Sequence, residues 1–88
     1  KYKLYQNYPN PFNPYTNIKY QITNNKSFVH LTIYDVAGRE VIKLVNKVQN
    51  AGTYKVDWNA AGYSSGIYFY SLTVNRKIVE TKKMVLIK

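Results

Sequence analysis

The chain has 88 residues, the length of one small domain, and 45% of them are hydrophobic, which is enough for a packed core and too many for a disordered tail. It contains no cysteine, so a disulfide framework and a cysteine metal site are excluded. No apolar run approaches the roughly 20 residues needed to span a bilayer. The first residue is Lys1 rather than methionine, and we therefore expect a piece of a longer protein.

The formal net charge is +9, with a pI of about 9.8. Of the thirteen basic residues only Arg39 and Arg76 are arginine, so lysine dominates. Because arginine is better suited than lysine to bidentate contacts with phosphates and bases, no nucleic-acid partner is expected. A solvated basic surface is the favoured interpretation. A polyanionic partner stays open as the alternative, and it could be nucleic acid or an anionic lipopolysaccharide surface.

The first predicted element is a proline-rich lead-in, residues 7–14, which contains every proline of the chain: Pro9, Pro11 and Pro14. Proline fixes φ, donates no backbone hydrogen bond and favours an extended conformation in the residue before it, such as Asn10. We therefore predict a stiff segment that cannot join the centre of a sheet. Its aromatic residues, Tyr8 and Phe12, are expected to pack onto the domain and fix the start of the first full strand.

Alternation of apolar and polar residues then predicts a series of strands. They cover, in order, residues 17–22, 28–34, 41–45, 54–58, 67–74 and about 78–88. The second and third form a hairpin that turns within Asp35–Arg39, where Gly38 can take a positive φ. The polar residues 46–52 are predicted to be a loop. About seven short strands at spacings of about 8–12 residues predict an all-β, immunoglobulin-like antiparallel β-sandwich that forms one domain over residues 1–88.

Few residues could carry catalysis. His30 is the one histidine, lies within a strand and has no cysteine partner. Asp35 and Asp57 are expected to cap turns. No phosphate-binding loop, catalytic triad or metal-ligand spacing is present. We therefore expect a protein that is not an enzyme and needs neither a metal nor a cofactor.

Tyrosine occurs ten times, which is high for a chain of this length. Two interpretations stay open: exposed rings could bind sugars, or the rings could pack on pleated strand faces with their hydroxyls in water. Tyr68 and Tyr70 share a strand face opposite Phe69, and one of these two sets is expected to be partly exposed. Trp58 is predicted to lie in the core.

The terminal strand is apolar at four consecutive positions: Met84, Val85, Leu86 and Ile87. Such a run is typical of a strand that is buried on both faces or that awaits a partner. The strand is therefore expected either to pair with a neighbouring strand or to be captured by another protein through strand addition.

Several motifs in order resemble the type A C-terminal sorting domain of the type IX secretion system. The matching stretches cover nearly the whole chain: residues 7–14, 16–20, 29–41, 51–54, 65–70 and 82–88. Each stretch alone is weakly specific, whereas all of them in order are strongly specific.

The resemblance implies a non-catalytic secretion signal. Its partners would be the outer-membrane translocon, a surface sortase and a cargo domain on its N-terminal side, with the cut at or before Lys1. The route would lead through the periplasm to the surface of a Gram-negative bacterium or into the medium. The recognition residues it implies are Gly66, Tyr68, Lys83, Met84, Val85, Leu86, Ile87 and Lys88. The structural residues it implies are Pro9, Asn10, Pro11, Phe12, Pro14, Gly38 and Trp58.

The immunoglobulin-like domain of flagellar hook-capping proteins has a similar opening, turn and Ser-Gly-x-Tyr element. That family usually carries a longer Trp-Asp-Gly loop, from which residues 58–62 depart, and the lysine-ended terminal strand favours the sorting family. Two alternatives stay open beside the secretion signal: an accessory module that binds carbohydrate or a polyanion, and a structural spacer. Whether Lys88 is the natural C-terminus of the parent protein would discriminate among them.

Overall fold

The structure, a computed structural model, describes all residues from 1 to 88 and consists of seven β-strands. The strands are β1 (Lys3–Leu4), β2 (Tyr15–Ile22), β3 (Ser27–Tyr34), β4 (Glu40–Gln49), β5 (Gly52–Asn59), β6 (Gly66–Val74) and β7 (Lys77–Leu86). There is no helix, and hence none that is long and apolar enough to cross a membrane.

The strands form two antiparallel sheets. The small sheet has the order β1-β2-β5, and the large sheet has the order β4-β3-β6-β7. The chain therefore changes sheet between β2 and β3, between β4 and β5, and again between β5 and β6. Such crossing connections between two antiparallel layers are those of an immunoglobulin-like sandwich, and the predicted fold class is confirmed.

The core lies between the sheets because the central strands β2, β3 and β6 turn alternate side chains inward and bury them. In β2 the buried hydrophobic residues are Ile18, Tyr20 and Ile22, each at most 1% exposed. They meet the inward side chains of β3 and β6, and seventeen buried hydrophobic residues form one cluster. Trp58, at 2% exposure, belongs to it, as predicted.

Two differences from the predicted strands have simple causes. β1 spans only Lys3–Leu4, which is too short for alternation to be visible in the sequence. β4 continues to Gln49, so the prediction of a loop over residues 46–52 is wrong. β4 is an edge strand of the large sheet, and polar residues such as Asn46 and Lys47 remain in water there without breaking the pairing with β3.

Candidate functional site

The two segments that carry the predicted recognition residues lie on neighbouring strands. In the antiparallel pair of β6 and β7, Gly66 lies opposite Leu86 and Tyr68 lies opposite Met84. Residues more than fifteen positions apart in sequence thus meet at one end of the large sheet. We call this region, residues 64–68 with residues 83–88, the terminal corner.

Alternation divides the terminal strand into an inner and an outer set. Met84 and Leu86 are at most 1% exposed and fill the core, which explains half of the apolar run. Lys83, Val85 and Ile87 point the other way: Lys83 is exposed, Val85 is half-buried and Ile87 is 50% exposed. Recognition of the folded domain through side chains would therefore involve the outer set.

The proline-rich lead-in lies along the free edge of β7. Phe12 forms a parallel bridge with Leu86: its N–H donates to the Val85 carbonyl and its carbonyl accepts from the Ile87 N–H, both at 2.9 Å. The Val85 N–H donates to Asn10 Oδ1 at 2.9 Å. The apolar terminal strand is thus paired on both sides, with β6 on one edge and the lead-in on the other. An edge position is also the one that proline permits.

The side chain of Phe12 makes this attachment strong. It is 1% exposed, as predicted, and its ring centroid lies 5.8 Å from that of Trp58. The prediction that Tyr8 also packs onto the domain is wrong, because Tyr8 is 80% exposed. Burying a phenylalanine contributes about 1.5–3 kcal/mol, and each net hydrogen bond about 1 kcal/mol. The lead-in is therefore held by several kcal/mol, a large share of the stability of a small domain.

A second anchor joins the start of the lead-in to β6. The Tyr70 hydroxyl donates to the Tyr5 carbonyl and accepts from the Asn7 N–H, both at 2.8 Å. Asn7 is itself buried, and its Nδ2 donates to Thr16 Oγ1 at 2.9 Å. Burial raises the pKa of Tyr70 to about 12, because the phenolate would lose its hydration. The hydroxyl stays protonated at neutral pH and can serve both partners at once.

A cleft opens beside the terminal corner, between the β3–β4 turn and the start of β6. Its volume is about 290 Å³. Its lining consists of Asp35, Val36, Arg39, Ser64, Ser65, Gly66, Ile67 and Tyr68. It thus unites two of the motifs that the sequence singled out, the Asp-x-x-Gly-Arg turn and the Ser-Gly-x-Tyr element.

The turn side of the cleft is held by one carboxylate. Asp35 Oδ1 accepts from the backbone N–H groups of Ala37 and Arg39, and Oδ2 accepts from Arg39 Nε at 3.0 Å. These hydrogen bonds, chiefly those to Arg39, lower the pKa of Asp35. Gly38 completes the turn at φ +80°, a conformation that favours glycine, as its predicted turn role requires. Asp35 acts here as a turn cap, as predicted. The same prediction for Asp57 is wrong, because Asp57 lies within β5 and accepts from Asn17 Nδ2 of β2 at 2.9 Å.

The other side of the cleft explains the Gly-x-Tyr spacing. Gly66 has φ +144°, which side chains rarely adopt, although a Cβ there would meet nothing within 4 Å. The glycine is therefore required by the backbone rather than by packing. Two residues later, Tyr68 is 7% exposed and its hydroxyl donates to the Ser64 carbonyl at 2.6 Å. Burial, aided by the charge of Asp35, raises the pKa of Tyr68.

Other candidate residues have structural environments. Phe69 is half-buried, so one of the two sets is partly exposed, as predicted. Tyr68 and Tyr70 are buried, at 7% and 0% exposure, and the open interpretation of exposed sugar-binding rings therefore does not apply to them. Their ring faces fill the space between the sheets, and period-two alternation alone does not say which face is inward. His30 is half-buried, and its Nε2 lies 2.8 Å from Asn46 Oδ1 across the β3–β4 pair. No group of three or more histidine and acidic residues is placed to hold a metal ion.

Sequence reasoning missed the contacts between the lead-in and β7, which join residues about 75 positions apart. The one available signal was that prolines favour a sheet edge. That signal does not name the edge, and it says nothing of Gln6, whose Nε2 donates to the Lys83 carbonyl at 2.8 Å.

The fold and the pairing of the chain ends define the class of protein: it is a small immunoglobulin-like β-sandwich in which the lead-in pairs with the terminal strand. Comparison with known families then identifies the domain. The model of the secretion system C-terminal sorting domain matches residues 6–88, and the chain belongs to that family. It is a type IX secretion sorting domain, a member of a non-catalytic family of export signals that act with the type IX machinery. Membership of this family implies export to the outer membrane or the cell surface, or secretion.

Among solved structures, the chain is similar to part of the Pseudomonas fluorescens alkylpurine DNA glycosylase AlkC bound to DNA containing an abasic site analog. The TM-score is 0.62 at 16% identity, over 99% of this chain and 30% of that chain. At this identity the likeness shows the fold alone. No curated protein sequence matches the chain.

Proposed function

We propose that the domain, residues 1–88, is the address by which the outer-membrane translocon of the type IX system selects a cargo joined to its N-terminal side. The observation that carries the proposal is the pairing of Gly66 and Tyr68 with Leu86 and Met84. It places the two implied recognition segments at one corner of a domain that belongs to a sorting family.

Within that corner the roles differ by burial. Lys83, Val85 and Ile87 supply the outer surface that the translocon contacts. The translocon also contacts the exposed Lys88, whose Nζ donates to the Ala61 carbonyl. Tyr68, Met84 and Leu86 are buried and support that surface from inside the sandwich. Gly66 sets the backbone path into β6 at φ +144°.

A surface sortase then removes the domain by cutting ahead of β1. The burial of Leu4, at 2% exposure, and of Asn7, at 3%, supports this position. A cut on their N-terminal side leaves both in place, whereas a cut within the lead-in would separate them from the core. The cargo reaches the translocon through the periplasm of a Gram-negative bacterium. Anionic lipopolysaccharide is a further proposed partner at the cell surface, supported by the net charge of +9.

The test is export of a periplasmic reporter fused ahead of residues 1–88, in a host with this machinery. The variant Ile87→Ser changes a half-exposed side chain at the terminal corner, and Ile78→Ser changes one that is 73% exposed at the other end of β7. Both avoid the core, unlike deletion of the terminal strand, which would remove Met84 and Leu86. Losing the contact of one isoleucine should lower export by about tenfold for Ile87→Ser.

The control Ile78→Ser should be exported like the parent fusion. A parent fusion that stays in the periplasm would refute the proposed function. Equal export of Ile87→Ser and the parent would show that Ile87 is not part of the recognition surface. Mass spectrometry of the released reporter would locate the sortase cut, which the proposal places ahead of β1.

A further inference from the structure

The lead-in acts as a fifth strand of the large sheet and contributes to its outer face. Phe12 points into the core, whereas its chain neighbours Pro11 and Asn13 are exposed. Because Phe12 lies beside Leu86 in a parallel bridge, Pro11 lies beside Val85 and Asn13 beside Ile87.

These residues continue a row that begins on β6. Ile67, which is 41% exposed, lies opposite Val85 in the register of β6 and β7. The row therefore crosses three segments of chain: Ile67, Val85 and Pro11. Ile87, at 50% exposure, and Asn13 extend it toward the end of the sandwich. We call Ile67, Val85, Ile87, Pro11 and Asn13 the outer strip.

The charge beside the strip is unbalanced. Lys82 is paired with Glu80 at 3.0 Å, but Lys83 is exposed and forms no salt bridge. Lys88 donates from Nζ to the Ala61 carbonyl at 2.9 Å and likewise has no carboxylate partner. An apolar strip beside the unpaired Lys83 is complementary to an apolar segment that carries acidic residues.

The edge of β7 that does not pair with β6 cannot accept an added strand at Val85–Ile87. Three of its backbone groups, the N–H and carbonyl of Val85 and the N–H of Ile87, already bond to the lead-in. Releasing them would expose the buried ring of Phe12. A partner therefore meets the side chains of the outer face, and at that face the lead-in and the terminal strand present one surface.

We propose that the type IX machinery binds the outer strip through an acidic, apolar segment, and that the lead-in supplies part of this recognition surface. The inference rests on the proposed function and deepens it. It gives Pro11 and Asn13 a part in recognition beyond the structural role that the sequence assigned to the lead-in.

The experiment compares export of the reporter fusion across four single variants. Asn13→Glu places a negative charge on the lead-in side of the strip, and Asn13→Lys places a positive charge at the same position. Lys83→Glu reverses the charge beside the strip, and Lys55→Glu makes the same reversal on exposed β5 in the small sheet. Thermal unfolding of each purified domain, followed through Trp58, reports that the fold is retained.

We expect Asn13→Glu and Lys83→Glu each to lower export by about tenfold or more, because like charges meet at the interface. Asn13→Lys and Lys55→Glu should be exported like the parent. Normal export of Asn13→Glu would overturn the inference and leave the proposed function intact if Lys83→Glu fails. Equal loss in Lys55→Glu would overturn it by showing a response to net charge. An equal loss of export in Asn13→Lys would overturn the claim that the partner segment is acidic. Failure of the parent fusion would refute the proposed function itself.

Discussion

The hydroxyl of Tyr70 offers the sharpest test of how the lead-in is attached. Tyr70→Phe removes one oxygen atom from a residue that is 0% exposed and leaves the ring in place. That oxygen accepts from the Asn7 N–H and donates to the Tyr5 carbonyl, each at 2.8 Å. The substitution therefore leaves a buried donor and an acceptor without their partner, and it creates almost no cavity.

The expected loss of stability follows from that geometry. A buried polar group left unsatisfied costs about 1–3 kcal/mol, and the hydrogen bond from the Asn7 N–H to the Tyr70 hydroxyl is buried. We expect the free energy of unfolding to fall by about 2 kcal/mol. For a domain of this size, 1 kcal/mol lowers the unfolding midpoint by about 4–8 °C, so the midpoint should fall by about 8–16 °C.

Urea and thermal unfolding of the isolated domain measure this loss, with Trp58, the one tryptophan, as the fluorescent probe. Tyr34→Phe is the matched control, because the half-buried Tyr34 hydroxyl makes no hydrogen bond within the protein. The free energy of unfolding of this control should lie within about 0.5 kcal/mol of that of the parent. Equal stability of Tyr70→Phe and the parent would refute the view that this hydroxyl ties the lead-in to β6.

Three further predictions test the burial of Phe12, the backbone conformation of Gly38 and the titration of Tyr70. Phe12→Ala should lower the free energy of unfolding by about 3–5 kcal/mol in urea titrations, and Phe12→Leu by less because it fills most of the volume. Gly38→Ala should cost about 1 kcal/mol at φ +80°, and Gly38→Asn less, as asparagine tolerates positive φ better; equal costs would refute the turn argument. Because the folded pKa of Tyr70 is about 12 against an ordinary 10.0, the stability it contributes is fully present below pH 10 and lost as pH rises toward about 12. Tyr70→Phe should weaken that alkaline loss in pH-dependent urea titrations without abolishing it, because burial also raises the pKa of Tyr20 and Tyr68.

Strands that bury one whole face in the core were predictable from the sequence, whereas the extent of the edge strand β4 and the two-residue strand β1 were not. The alternation of β2, from Ile18 to Ile22, is visible because one face packs on the core. β4 loses that alternation beyond Val45, since an edge strand can keep polar side chains while its backbone remains paired. β1 contributes one buried residue, Leu4, and two residues cannot display a period.

The candidate site shows the same limit. The motifs around Gly66 and the terminal strand were evident in the sequence, but their pairing depends on which strands are neighbours in the large sheet. The burial of Tyr68 and Tyr70 depends on which face of β6 is inward, and a one-residue shift of register would reverse it. The bond from Val85 to Asn10 joins side chain and backbone across almost the whole chain, and no local pattern encodes it.

The division of labour within β7 constrains how an export address of this kind can be recognised. Residues 83–87 serve two purposes. Met84 and Leu86 point inward and hold the terminal strand in the core, whereas Lys83, Val85 and Ile87 point outward. The display therefore exists only while the sandwich is folded and the lead-in is in place. A change that frees the terminal strand from the core also destroys the surface it presents. Loss of export on truncation would thus report loss of fold as readily as loss of contact, and only substitutions confined to the outer face separate the two.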